Sequence, residues 1–158
     1  MRALDIMTAN LHVVLPDEPI AAPAAIMADY SVGLVPVVSD FEEMRLEGVI
    51  TDRDITVRHV APRHGEGCLV RDHMTKDHLD VVRASDHVHD VIGRMRHDQL
   101  RRVLVIDAER RLVGIIAQAD IALRVGPIEP VLVEQLLEEI SEPVSRTKKS
   151  LLALAMVG

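Results

Sequence analysis

Gly48–Ile55 reads GVITDRDI, and Gly114–Ile121 reads GIIAQADI. Both octets open with glycine and an apolar pair and close with aspartate and isoleucine. The second has Ala117 where the first has Thr51, and it keeps Asp120 in the place of Asp54. Working outward, LDIMT (Leu4–Thr8) matches RDHMT (Arg71–Thr75), and the run opening HVV (His12–Val14) matches the one opening DVV (Asp80–Val82). LEGVITDRDITVR (Leu46–Arg58) matches LVGIIAQADIALR (Leu112–Arg124). Similarity in a fixed order is the mark of an internal repeat, so the chain reads as a tandem duplication.

Each copy predicts the order strand, helix, strand, strand, helix. HVV and DVV are short β-prone runs closed by turn residues. In the second copy Ser85 is placed to cap a helix whose Val88, Val91, Ile92 and Met95 fall at helical spacing. In the first, Asp17 is the expected cap, Ile20 and Met27 lie on the matching stripe, and Pro23 forces a kink or a late start. Strands are expected at Leu34–Val38, Gly48–Ile50, Arg102–Ile106 and Val113–Ile116, with second helices at Asp52–His59 and Gln118–Arg124. A unit of about 50 residues buries too little surface to stand alone, so the copies should pack sheet to sheet. The helix faces carrying Ile20, Met27, Val91 and Met95 are apolar enough to suggest a twofold homodimer.

Composition narrows the function. The chain has 158 residues, 48% of them hydrophobic and 27% charged, which indicates a packed globule. A net charge of −7 repels phosphate backbones. Tyr30 and Phe41 are the only aromatics of the Phe, Tyr and Trp class, too few for a base-stacking platform, so no nucleic-acid partner is expected. Cys68 is the single cysteine, which excludes an internal disulfide and fits a reducing compartment. Neither a signal peptide nor a membrane span is legible; LLALAMVG at Leu151–Gly158 is too short to cross a bilayer. A cytoplasmic location is expected.

The repeat MT…VVLPDEPI…VGLVPVVSD…LEGVITDRDI, answered by MT…LRRVLVIDAERRLVGIIAQADI, resembles a tandem cystathionine-β-synthase (CBS) domain pair, the Bateman module, over residues 3–126. The resemblance implies an α/β (α+β) fold of two β-α-β-β-α repeats packed sheet to sheet with pseudo-twofold symmetry. Residues 1–62 form the first repeat, 63–70 a linker, 71–126 the second, and 127–158 a C-terminal amphipathic helix and tail. It also implies a stand-alone homodimeric sensor of an adenine nucleotide (AMP, ADP or ATP) or a related adenosyl ligand, acting on an unknown effector protein and without a resident cofactor. The alternative is an interaction homodimer with no working nucleotide site.

Thr51 and Asp54 have two compatible readings. Thr-x-x-Asp at a strand-to-helix junction is close to a capping box. The same geometry offers free N–H groups to a phosphate and an acceptor-only carboxylate to the two hydroxyls of a ribose. The resemblance then implies two unequal clefts, each drawing its aspartate from one repeat and its opening loop and middle strand from the other. One joins Ile50, Thr51 and Asp54 to Thr75, Asp80 and Leu100–Arg101–Arg102. The other joins Ala117 and Asp120 to Thr8, His12 and Val32–Gly33–Leu34, without a fixed cation. Asp54 is therefore expected to carry most of the affinity, and Arg101 and Arg102 the preference for phosphates.

His59, His64, Cys68 and His73 lie close in sequence, but their spacing matches no standard zinc pattern. They read as an exposed connector, and no metal is expected. Neither a nucleophile elbow nor a phosphate-cradling glycine loop is visible, so the chain does not read as an enzyme. VLVEQLLEEI (Val131–Ile140) predicts an amphipathic helix with Val133, Leu136, Leu137 and Ile140 on one stripe. That stripe serves either as a lid on the last core or as a dimer or partner surface. RTKKS (Arg146–Ser150) reads as a mobile tail.

Overall fold

A computed structural model describes residues 1–143; the expectations for Arg146–Ser150 and Leu151–Gly158 lie outside the described residues. The first repeat contributes α1 (Ala3–Ile6), α2 (Ala21–Tyr30), β1 (Leu34–Val38), β2 (Leu46–Thr51), α3 (Asp52–Asp54) and a π-helical turn, Ile55–Val60. The second contributes α4 (Val70–His73), β3 (Val81–Arg83), α5 (Val88–His97), β4 (Arg102–Ile106), β5 (Leu112–Ala117) and α6 (Gln118–Arg124). α7 (Pro130–Ser141) follows. The fold is mixed α/β, two units each with a small sheet and helices.

β1 and β2 pair antiparallel, and β4 pairs antiparallel with β5 and parallel with β3. In the first repeat the counterpart of β3 shrinks to one parallel bridge, Val14 to Val37. Pro16 stands two residues later, and a residue without an N–H cannot extend a ladder. α2 shows the late start that Pro23 dictates, but Ile20 rather than Asp17 holds the cap position. Asp17 is drawn instead to Arg71 at 2.6 Å. α5 likewise begins at Val88, with the His87 side chain at its cap rather than Ser85.

The predicted apolar stripe of α5 is the core of the second repeat: Val88, Val91, Ile92 and Met95 are buried. α7 closes that core with Val133, Leu136 and Ile140, and Arg96 on α5 pairs with Glu139 on α7. This side of α7 is a lid. It also corrects the expected dimer face, because Val91 and Met95 lie under it, and Ile20 is buried in the first core.

The two halves exchange their opening segments. Ala3 and Ile6, first in sequence, pack in the second repeat's core. Val70 and Met74, which open the second repeat, pack in the first. The backbone repeats the exchange: Thr8 bridges Ile115, and Thr75 bridges Val49. These are equivalent positions in the two copies, as pseudo-twofold symmetry requires. A third cluster, Val38, Leu104 and Leu112 with Leu34, Val49 and Ile115, lies where the sheets meet.

Candidate functional site: two clefts between the repeats

The two motif aspartates begin with the same job. Asp54 Oδ2 accepts from the Thr51 amide at 3.0 Å, and the Asp54 amide donates to Thr51 Oγ1 at 3.1 Å, a complete capping box. Asp120 Oδ2 accepts from the Ala117 amide at 2.8 Å. Their second oxygens differ. Asp54 Oδ1 faces the Arg58 guanidinium, one turn on, at 3.3 Å. Asp120 Oδ1 accepts one hydroxyl, from Thr8 of the other repeat, at 3.2 Å. Thr8 thereby restores beside Asp120 the hydroxyl that Ala117 lacks.

The cleft around Asp120 has a volume of about 290 Å³. Its walls come from both repeats: Thr8, His12 and Val32–Gly33–Leu34 from the first, Ile115, Ala117 and Asp120 from the second. These are the residues the resemblance brought together. Arg102 also lines it, which corrects the expectation that this cleft has no cation. His12, at its wall, stacks on Tyr30 with ring centroids 3.5 Å apart and planes 19° apart. A count restricted to Phe, Tyr and Trp misses the His12 half of this stacked pair. Asn10, Leu11 and Pro36 complete the wall and carry no motif that would have revealed them.

The opposite hollow is smaller, about 120 Å³, and is lined by Thr75, Asp80, Val49, His78 and Arg102. Thr51 and Asp54 are not on its wall. Burial raises the Asp80 carboxyl above the ordinary aspartate value, and only Arg94 opposes the shift. Three other residues expected at this cleft do not line the hollow. Ile50 is fully buried in the first core, since it points to the opposite face of β2 from Val49 and Thr51. Leu100 packs on the second core. Arg101 is exposed, and its carbonyl accepts from the Gln118 amide at 3.0 Å. The cleft expected to be the better furnished is thus the smaller one.

The histidines near the first repeat's end do not form the exposed connector expected of them. His59 is on the π-helical turn, His73 is buried on α4, and both converge with His64 and Cys68. Spacing alone could not show this, because a π turn and a loop reversal supply the geometry.

Among the described residues no helix is long and apolar enough to cross a membrane. The CBS domain family model matches residues 3–58 and 70–126. Hypoxic response protein 1 of Mycobacterium tuberculosis is 35% identical over 120 residues, which span 76% of this chain and 82% of that protein. The crystal structure of hypoxic response protein I with two coordinated zinc ions superimposes with a TM-score of 0.67 at 32% identity, covering 78% of this chain and 98% of that one. CBSX2 in complex with AMP gives a TM-score of 0.68 at 27% identity, over 81% and 98% of the two chains. The CBS domain pair of protein MJ0100, in complex with 5-methylthioadenosine and S-adenosyl-L-methionine, gives 0.66 at 25%, over 80% and 97%. With both halves matched in order and their opening helices exchanged between two cores, the chain belongs to the CBS domain family, as a tandem pair.

Proposed function

We propose that this CBS pair is a regulatory sensor that holds an adenosyl ligand of the AMP, ADP or ATP class in the cleft around Asp120. The observation that carries the reading is Asp120 itself. One oxygen is spent on the helix cap, the other accepts the Thr8 hydroxyl, and the residue lines a cleft built from both repeats. An ionised carboxylate accepts several donors, so Oδ1 takes a ribose hydroxyl while Thr8 turns to donate or accept. The His12 ring and the Leu11 and Ile115 side chains offer flat and aliphatic surface to a purine, and Arg102 offers a guanidinium to phosphate. The volume is at the lower end of the range for small-molecule sites. AMP in CBSX2 and adenosyl compounds in MJ0100 support the ligand class.

A ligand touching both repeats biases their relative position, which is the means by which such a module acts on a partner. The reading is of a binding module without catalysis of its own, working in the cytoplasm. Exposed Leu123, Ile128 and Val131 beside the last core supply the apolar surface for a homodimer or effector, in place of the buried stripe first expected.

Calorimetric titration with AMP tests the reading. The parent chain binds, and Asp120→Ala weakens binding by about 10- to 100-fold, the cost of a charge-assisted hydrogen bond. Asp54→Ala, whose free oxygen is already committed to Arg58, changes it less than about threefold on the same scale. Arg102→Ala reduces AMP to the affinity of adenosine. Equal losses in the two aspartate variants would move the ligand to both clefts. No binding of AMP, ADP, ATP or S-adenosylmethionine would leave the interaction-only homodimer as the better account.

A further inference from the structure

We propose that His59, His64, Cys68 and His73 form a zinc-binding site that fastens the π-helical turn of the first repeat to α4. Each side chain offers one ligand atom, and the four atoms lie within 4.8 Å of one another. In a tetrahedral zinc site the donors stand roughly 3.3–3.7 Å apart, as follows from Zn–N near 2.0–2.1 Å and Zn–S near 2.3 Å. His59 Nδ1 and His73 Nε2 are already 3.2 Å apart. The widest pair must close by about 1 Å to reach the tetrahedral spacing, and exposed His64 has the rotamer freedom to supply it.

The local backbone is built to bring these residues together. The π turn at Ile55–Val60 continues in the same spacing, with the His64 amide donating to the His59 carbonyl at 3.0 Å. Such wide turns are rare and are frequently found at functional sites. Gly67, at φ +100°, lies in the left-handed region where glycine is favoured and brings the chain back to Cys68. Two of the four ligands are then pinned through their carbonyls. Cys68 accepts from the Ile20 amide at 3.0 Å, and His73 accepts from Arg58 Nη1 at 2.9 Å. His73 is the one buried polar side chain of the described core. Its Nε2 faces another imidazole rather than a carboxylate, an arrangement suited to nitrogen lone pairs that converge on a cation.

The donor set selects the metal. Three imidazoles and a thiolate suit zinc and exclude magnesium and calcium, which take oxygen ligands. Four protein ligands close the tetrahedron, so the role is structural rather than catalytic. Nothing in this inference depends on the adenosyl reading, and its test uses no nucleotide.

The full chain, stripped with chelator, is titrated with zinc sulfate against a chromophoric competitor and, separately, with cobalt(II). One equivalent of zinc binds, and cobalt gives the intense visible bands of a tetrahedral site with a thiolate charge-transfer band in the near ultraviolet. Cys68→Ser abolishes the charge-transfer band. His64→Ala, at an exposed position, weakens zinc by more than the roughly 10- to 100-fold that losing an outer-shell partner costs. A His87→Ala/His89→Ala control retains full binding. The inference is overturned if zinc uptake is unchanged in both Cys68→Ser and His64→Ala, if cobalt gives the weak spectrum of an octahedral site, or if the parent takes up no more zinc than the Cys68→Ser/His64→Ala double variant.

Discussion

Gly48 and Gly114 hold the same place in the two octets, yet an added methyl group meets different neighbours. At Gly48 a Cβ would sit 2.6 Å from the Thr75 carbonyl oxygen, in the backbone bridge that the exchanged segment makes with β2. At Gly114 it would meet the Met7 side chain, whose thioether is flexible. The glycines thus answer to the crossing of the opening segments, which the octets alone do not reveal. Gly48→Ala should destabilise the chain by about 1–3 kcal/mol, the usual cost of overpacking against something that cannot move, and Gly114→Ala by clearly less. Urea denaturation midpoints at a constant slope compare the two; equal midpoints would show that the Thr75 bridge gives way as easily as Met7. Asp54 and Asp120 carry the same lesson. The Thr51 cap was legible from Thr-x-x-Asp, but the cap that Asp120 makes to the Ala117 amide and the partner of each aspartate's second oxygen were not. That partner depends on Arg58, one helical turn away, and on Thr8, in the other repeat.

Among the elements, those whose fate depends on a local pattern were readable in the sequence, and those that depend on a neighbour were not. α5 carries a regular apolar stripe, and the residues on it are the buried ones. β1, β4 and α6 begin and end where their sequence does. The first repeat's opening strand fails because Pro16 truncates it. The helix expected over Asp52–His59 is instead a three-residue α turn followed by a π turn. No propensity encodes that widening, and with it the meeting of His59 and His73 escaped notice. α7 was legible as an amphipathic helix, but whether its stripe faced its own chain or a partner was settled only by packing. Leu136 is fully buried against α5 and α6, whereas its neighbour Leu137 remains 36% exposed. Leu136→Ala should therefore cost about 2–5 kcal/mol, as a large-to-small change in a closed core does, while Leu137→Ala should stay within about 0.5–1 kcal/mol. Thermal denaturation followed by circular dichroism separates them. A comparable loss at Leu137 would mean that its exposed edge is covered by a second copy.

At the scale of the whole molecule, the exchange of opening helices decides how the chain unfolds. Each repeat's core is completed by residues that belong in sequence to the other: Ala3 and Ile6 in the second, Val70 and Met74 in the first. A third apolar cluster joins the two sheets. Neither core can open without exposing surface the other depends on, so the repeats should not behave as two domains on a linker. The expected result is one calorimetric transition, with calorimetric and van't Hoff enthalpies equal. The sharper form uses Ile6, which is 1% exposed and lies in the second core although it stands in the first repeat's sequence. Ile6→Ala should lower the midpoint of the whole transition, by the roughly 2–5 kcal/mol that truncating a buried isoleucine costs, and leave it single. Were the repeats independent, the same substitution would split the trace into an unshifted component and a displaced one. That outcome would show the exchanged helices to be neighbours on a surface rather than shared parts of two cores.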